Sequence, residues 1–223
     1  MIMQLYAPFR HWSEKGAVFI ISDTHFADED CLYMDPHWIT PEEQVALLNK
    51  AVGKNDTLIH LGDVGDERYL RRLRAGRKIL IKGNHDRVSV VAPYFDEVYD
   101  GPLFITPKIL LSHEPIEGLP FCLNIHGHDH GAANHDTGGG KHINLAANIC
   151  GYQPLNLGKL IKEGGISDIR DIHRMTIDAA NENPLHKTPD VSSRIGIRSE
   201  EPFVIDDIFA MRGMRLVFAD ENS

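Results

Sequence analysis

The sequence predicts an α/β fold built on a large mixed sheet or on two packed sheets. Two patterns and one bulk property carry that expectation. Between residues 17 and 81, short apolar β-branched runs alternate with helical segments, and each run ends in Gly, Asp, Asn or His. Between residues 95 and 125 similar runs follow one another with turns too short to hold helices. A chain of 223 residues that is 42% hydrophobic is long enough to bury one sizeable core.

The elements follow in order. Residues 17–22 (Ala-Val-Phe-Ile-Ile-Ser) form a continuous apolar run after Gly16, the pattern of a strand buried on both faces. Thr40-Pro41-Glu42-Glu43 supplies an N-cap, a proline at the first helical position and first-turn acids. The helix it opens runs through Val45, Leu48 and Val52 and stops at Gly53. Residues 57–61 and 78–81 read as further buried strands, with a helix over 68–74 that turns Leu70 and Leu73 inward. Short strands are expected at 95–99, 103–105, 109–112 and 123–125. The segment Ile143-Asn144 to Tyr152-Gln153-Pro154 is expected to pack as a final core strand and not to catalyse. These elements define a domain over residues 1–165. Residues 166–223 are read as an extension packed on the core or at an oligomer interface, with a helix at 168–180, a short helix at 205–211 and a strand at 215–218.

Bulk chemistry removes several classes of function. Lys and Arg number 23 against 32 Asp and Glu, a net charge of −9. That balance repels a phosphate backbone at long range and disfavours nucleic acid as a partner. Cys31, Cys122 and Cys150 are odd in number and widely spaced, so neither a disulfide framework nor a structural zinc site is expected. With no leader-like start and no apolar run of membrane-spanning length, the expectation is a cytoplasmic protein without a membrane partner.

Thirteen histidines are the conspicuous feature, and their positions matter more than their number. The expected strands end in Asp23-x-His25, in Gly62-Asp63-x-x-Asp66 and in Gly83-Asn84-His85-Asp86. The later ones lead into His113 and into His126-Gly127-His128-Asp129-His130. In open α/β sheets ligands gather beyond the carboxyl ends of the strands. The donors are carboxylates, an amide oxygen and imidazoles, with no thiolate, which suits Mn, Fe, Zn, Co or Ni ions. They are too many for one tetrahedral ion, whereas two ions sharing a carboxylate accommodate them and leave positions for water and substrate.

This ordered set resembles the calcineurin-like metallophosphoesterase superfamily, and in particular its small bacterial and phage-type members. The resemblance implies a four-layer αββα sandwich with two mixed sheets. It implies that Asp23, His25 and His130 hold one ion, that Asn84, His113 and His128 hold a second, and that Asp63 bridges them. Mn or Fe is favoured. His85 would stand beside the substrate as proton donor or positive partner, with Asp66 and Asp86 orienting groups from behind. His126 is weighed evenly between such support and ordinary packing. The implied activity is hydrolysis of a small phosphomonoester or phosphodiester by a hydroxide bridging the ions.

Plainer readings apply elsewhere. His60 is expected to be buried structure, and Asp28, Glu29 and Asp30 a surface loop. Arg71, Arg72, Arg74 and Arg77 are read as a solvated face. The run Gly138-Gly139-Gly140 lacks the Lys and Ser/Thr of a phosphate loop. Two other functions compete: a nuclease of the same superfamily, opposed by the net charge, and a non-catalytic protein-binding scaffold, opposed by the complete ligand set.

Overall fold

The computed structural model describes residues 4–164 except 120, 133, 135, 138 and 139, together with Ile166 and Ile169. The chain divides into units Met1–Asp178 and Ala179–Ser223. The second unit, with the expected elements at 205–211 and 215–218, lies outside the described residues, as does the expected helix at 168–180 except for Ile169.

Two five-stranded mixed sheets make the architecture. The first contains β1 (Val18–Ile21), β2 (Thr57–His60), β3 (Arg77–Ile81) and β4 (Glu97–Tyr99) in parallel. The second contains β5 (Leu103–Thr106), β6 (Ile109–Leu111), β7 (Leu123–His126), β8 (Asp136–Thr137) and β9 (Gly140–Asn144), of which β6, β7 and β9 run parallel. β10 (Leu155–Asn156) returns to the first sheet and pairs antiparallel with β1.

Strand parity explains why the sheets stack. Val18 and Ile20 of β1, Ile59 of β2, and Ile79 and Ile81 of β3 join Ile105, Ile109, Leu111, Leu123 and Ile125 of the second sheet in one buried cluster. The alternate residues Ile21, Leu58 and Leu80 face the other way, against Val45, Leu48 and Val52. Val45 and Leu48 belong to α2 (Pro41–Ala51) and Val52 is its C-cap; α1 (Cys31–Met34) precedes it in the chain. Both faces of the first sheet are therefore buried, as the continuous apolar runs predict. Thr40 caps α2 through the backbone of Glu43, whose side chain returns a bond to Thr40, a reciprocal capping box.

Three expectations need correction. Residues Glu67–Arg72 form a 3-10 helix and not an α-helix, although Leu70 and Leu73 are buried as expected. β9 ends at Asn144, and the residues after it turn and do not continue as a strand. A further α3 (Val88–Val91) and α4 (Leu157–Glu163) lie where no helix is expected. Ile166 and Ile169 join the core between the sheets. Among the described residues no helix is long and apolar enough to cross a membrane.

Candidate metal centre

The ladder between β1 and β2 does not stop at the strand ends. Asp23 donates its N–H to Gly62 O at 2.9 Å, His25 to Asp63 O at 3.1 Å and Phe26 to Val64 O at 2.9 Å. Ser22 N–H meets Leu145 O at 2.9 Å, which joins the tips of the two sheets. Continuing a ladder while turning the side chains toward one point requires unusual backbone. Asp23, His25, Asp63 and His128 have φ of 53°, 39°, 56° and 67°. Non-glycine residues adopt such angles rarely, and mostly where the surrounding structure enforces them.

Close approach accounts for two of the motif glycines. A Cβ on Gly127 would strike the Asp23 carboxylate, and one on Gly83 would strike that of Asp63. Asp86 is buried and accepts from the N–H of Asp63 (2.9 Å), Val64 (3.0 Å) and Gly83 (2.9 Å). It therefore supports the loop that carries Asp63 from behind.

The side chains gather in two groups. In the first, His25 Nε2 lies 4.0 Å and His130 Nε2 3.6 Å from Asp23 Oδ1. In the second, His113 Nε2 lies 3.3 Å from Asp63 Oδ2, 2.8 Å from Asn84 Oδ1 and 3.2 Å from His128 Nδ1. Asp63 Oδ2 also lies 3.8 Å from His25 Nε2, so one carboxylate touches both groups.

Hydrogen bonding fixes several tautomers. His113 Nδ1 faces the carbonyl of Leu61 at 2.9 Å and donates to it, which turns Nε2 toward Asp63. Asp23 Oδ1 and His25 Nε2 are buried and have no hydrogen-bond partner among the described residues. A carboxylate oxygen and an imidazole nitrogen so placed are a candidate cation site.

Electrostatics agree. Burial pushes the Asp23 carboxyl up and the His25 imidazole down, so the ring is neutral and ready to ligate. Burial also opposes charge on Asp63, but the His113 ring and the N–H of His85 outweigh it and hold the carboxyl at about 2. His113 is raised despite burial, chiefly through Asp63.

The remaining sequence candidates fall into three situations. His85 is exposed at the mouth; its N–H binds Asp63 Oδ1 at 2.9 Å and its ring lies 5.9 Å from that of His25. Asp66 is not brought to the ligands. Its carboxylate caps the 3-10 helix and pairs with Arg68, so the expectation that it orients a ligand finds no contact here. His126 is buried, bonds Gly127 O at 2.8 Å, and packs 5.5 Å from the ring of His142. His135, Gly138 and Gly139 lie outside the described residues. Arg71 and Arg72 lie over Tyr94 and Tyr69, and Arg77 pairs with Glu97, so none of these three is turned to the centre.

Sequence reasoning missed three supports. Thr24 Oγ donates to Val64 O at 2.9 Å and meets His60 Nε2 at 3.0 Å, while Gly62 N–H donates to His60 Nδ1 at 3.1 Å. Burial pushes His60 down to about 4, so a neutral ring ties the first two metal loops together. Asp28 and Asn148 contact the far sides of His25 and His130. Clefts of about 270 and 320 Å³ open beside the two groups, the first lined by His25 and His85, the second by Asn84 and His113.

The sequence model of the calcineurin-like phosphoesterase family matches residues 17–191, and the chain belongs to that family. A protein of unknown function from Aquifex aeolicus is 29% identical, with a TM-score of 0.54 over 66% of this chain and 98% of that one. The phosphoesterase Yfce of E. coli is 19% identical with a TM-score of 0.38, over 57% of this chain and 77% of its own. An archaeal phosphodiesterase is 20% identical with a TM-score of 0.39, over 60% and 87% respectively. No curated protein matches the chain.

Proposed function

We propose that the protein is a dinuclear metal-dependent hydrolase of small phosphate esters. The observation that carries the reading is the shared carboxylate: Asp63 Oδ2 lies 3.3 Å from His113 Nε2 and 3.8 Å from His25 Nε2. Asp23, His25 and His130 would hold one divalent ion, and Asn84, His113 and His128 the other, with Asp63 common to both. Mn or Fe suits this mixture of carboxylate, amide and imidazole donors. When bound, two such ions supply positive charge for the phosphoryl oxygens and lower the pKa of a water toward neutrality.

The protein's own groups position and protonate. The Asp86 carboxylate and the His60–Thr24 bonds hold the metal loops in their left-handed backbone. His85, exposed at the mouth beside His25, is placed to donate a proton to the departing oxygen. Such help contributes roughly 10²–10⁴-fold and matters most for poor leaving groups. Phosphoryl transfer relies mainly on positioning and electrostatics, which a rigid ligand cluster provides. The three free cysteines, two of them buried, support a reducing compartment.

The test pairs metal analysis with a screen of aryl mono- and diesters and then of nucleotides, with Mn, Fe, Zn, Co or Ni added. Two bound ions and ester hydrolysis are expected. His85→Ala should keep both ions and lose about 10²–10⁴-fold in kcat. Bound metal without hydrolysis of any ester would favour the protein-binding scaffold.

A further inference from the structure

We propose that Asp28 and Asn148 are positioning residues which aim His25 and His130 at the first ion, and that residues 28–35 join them into one brace. This rests on the metal-centre reading above and assigns work to a segment whose sequence reads as a surface loop.

His25 Nδ1 lies 3.2 Å from Asp28 Oδ2. An ionised carboxylate only accepts, so Nδ1 carries the proton and the Nε2 lone pair is left for the centre. Nε2 is the buried, unpartnered atom that faces Asp23 and Asp63. His130 is treated in the same way. Asn148 Nδ2 donates to His130 O at 2.9 Å and reaches Asp35 Oδ2 at 3.5 Å. Both are acceptors, so the amide oxygen must be the atom facing His130 Nδ1 at 3.2 Å, and that ring nitrogen donates. His130 Nε2 is thereby turned to Asp23 Oδ1.

The two contacts belong to one piece of chain. Asp28 donates its N–H to His25 O at 3.1 Å, and its Oδ1 accepts from Asp30 N–H at 3.0 Å, so the carboxylate is held on both sides. α1 follows, and Asp35 closes it by donating to Cys31 O at 2.9 Å. One turn of helix thus spans from the residue behind His25 to the residue that touches the partner of His130. The second ion's ligand His113 has only a backbone carbonyl behind it.

A direct ligand role for Asp28 is less well supported. His25, Asp28 and Cys31 lie close enough to suggest a third metal group. Yet burial pushes the Cys31 thiol up to about 12, and its Sγ is turned to His25 O at 3.9 Å. A carboxylate or amide on the far nitrogen of a ligating imidazole fixes the ring and raises its basicity, and its loss typically costs 10–100-fold in metal affinity.

The experiment is a calorimetric titration of the metal-free, full-length protein with Mn²⁺, with the melting temperature of each metal-free variant recorded alongside. Asp28→Ala should weaken one of two binding events by about 10–100-fold and leave the other nearly unchanged. Asn148→Ala should weaken the same event. Asp28→Asn, which keeps an acceptor oxygen without the charge, should fall between and serves as the deciding variant if the alanine form does not fold. In a His25→Ala background Asp28→Ala should have no further effect, because the ring it aims is gone; in a His128→Ala background its effect should persist. Unchanged affinity, equal weakening of both events, or a full effect in the His25→Ala background would each overturn the brace. A wild-type protein that binds no Mn²⁺ would remove the centre itself, whereas two bound ions with unaffected Asp28 and Asn148 variants would remove only the brace.

Discussion

The two halves of the candidate centre use similar donors, and each has a histidine that is 5% exposed, but they differ in the exposure of the residues around it. Asp23 is 0% and His25 5% exposed, and the buried atoms without partners among the ligands both belong to them. On the other side Asn84 and His128 are exposed, and His113 contacts both. Asp23 Oδ2 accepts from the N–H of His128 at 2.8 Å, while the buried Oδ1 has no hydrogen-bond partner among the described residues, and a buried anionic oxygen of that kind is costly without a nearby cation. The exposed Asn84 lies at the 320 Å³ cleft, and His25 lines the 270 Å³ cleft on the other side. Ligand identity alone would have suggested two equivalent positions; burial makes them unequal.

The largest effect should come from abolishing the one group common to both halves. Asp63→Asn should lower the number of bound ions and reduce kcat/KM by more than the roughly 100-fold typical of losing an outer partner; metal analysis and ester hydrolysis measure both. Retention of two ions at wild-type affinity would show that the halves do not depend on a shared carboxylate.

A smaller effect separates the halves. On titration with a chelator the two ions should leave in two steps, and His128→Ala should remove the earlier step while leaving the slower one. Metal content against time reads this directly. Simultaneous release would mean that burial does not distinguish the positions.

A substitution far from the centre supplies the control. At the start of β4, Glu97 accepts from His11 (2.8 Å), Trp12 (3.2 Å), Arg77 (3.2 Å) and Tyr99 (2.7 Å). Glu97→Gln should cost about 1–3 kcal/mol of stability without altering the affinity of either half. Burial raises its carboxyl, but Tyr99, His11 and Trp12 prevail and hold it below the ordinary 4.5. Its contribution is therefore complete above pH 4.5 and is lost as the pH falls through the depressed value. Denaturation curves of the variant and the wild type should converge in acid.

The smallest expected change is a gain. Gln44 on α2 is 1% exposed and neither of its side-chain polar atoms has a hydrogen-bond partner among the described residues. Gln44→Met, of similar shape, should raise stability by about 1 kcal/mol and leave metal binding untouched, as a thermal melt and a Mn²⁺ titration will show.

Much of this molecule is legible in its sequence because the signals are local. Residues 17–22 announce β1 by an unbroken apolar run, and Thr40-Pro41-Glu42-Glu43 announces the start of α2 by its cap. The ligands sit at strand ends, where a sheet must present them, so their order along the chain is enough to suggest a centre. α1, with four residues, is too short to show a helical period, and β10 is defined by its pairing with a strand more than a hundred residues earlier. Asp28 reads as a surface acid, and Asn148 lies unremarked in a segment read as a core strand, because neither carries a mark of what lies beyond its own few neighbours.

The sequence by itself determined the α/β class, the types of the candidate donors and their order along the chain. Only the tertiary structure decided the distances from Asp63 to the two groups, the contacts of Asp28 and Asn148 with the rings of His25 and His130, and which of these side chains are buried. Hydrophobic period, caps and donor type are properties of neighbouring residues, which a sequence records. Distance, burial and tautomer are set where loops from separate strands converge, and there the backbone of Asp23, His25, Asp63 and His128 takes left-handed angles that local preference alone would not choose.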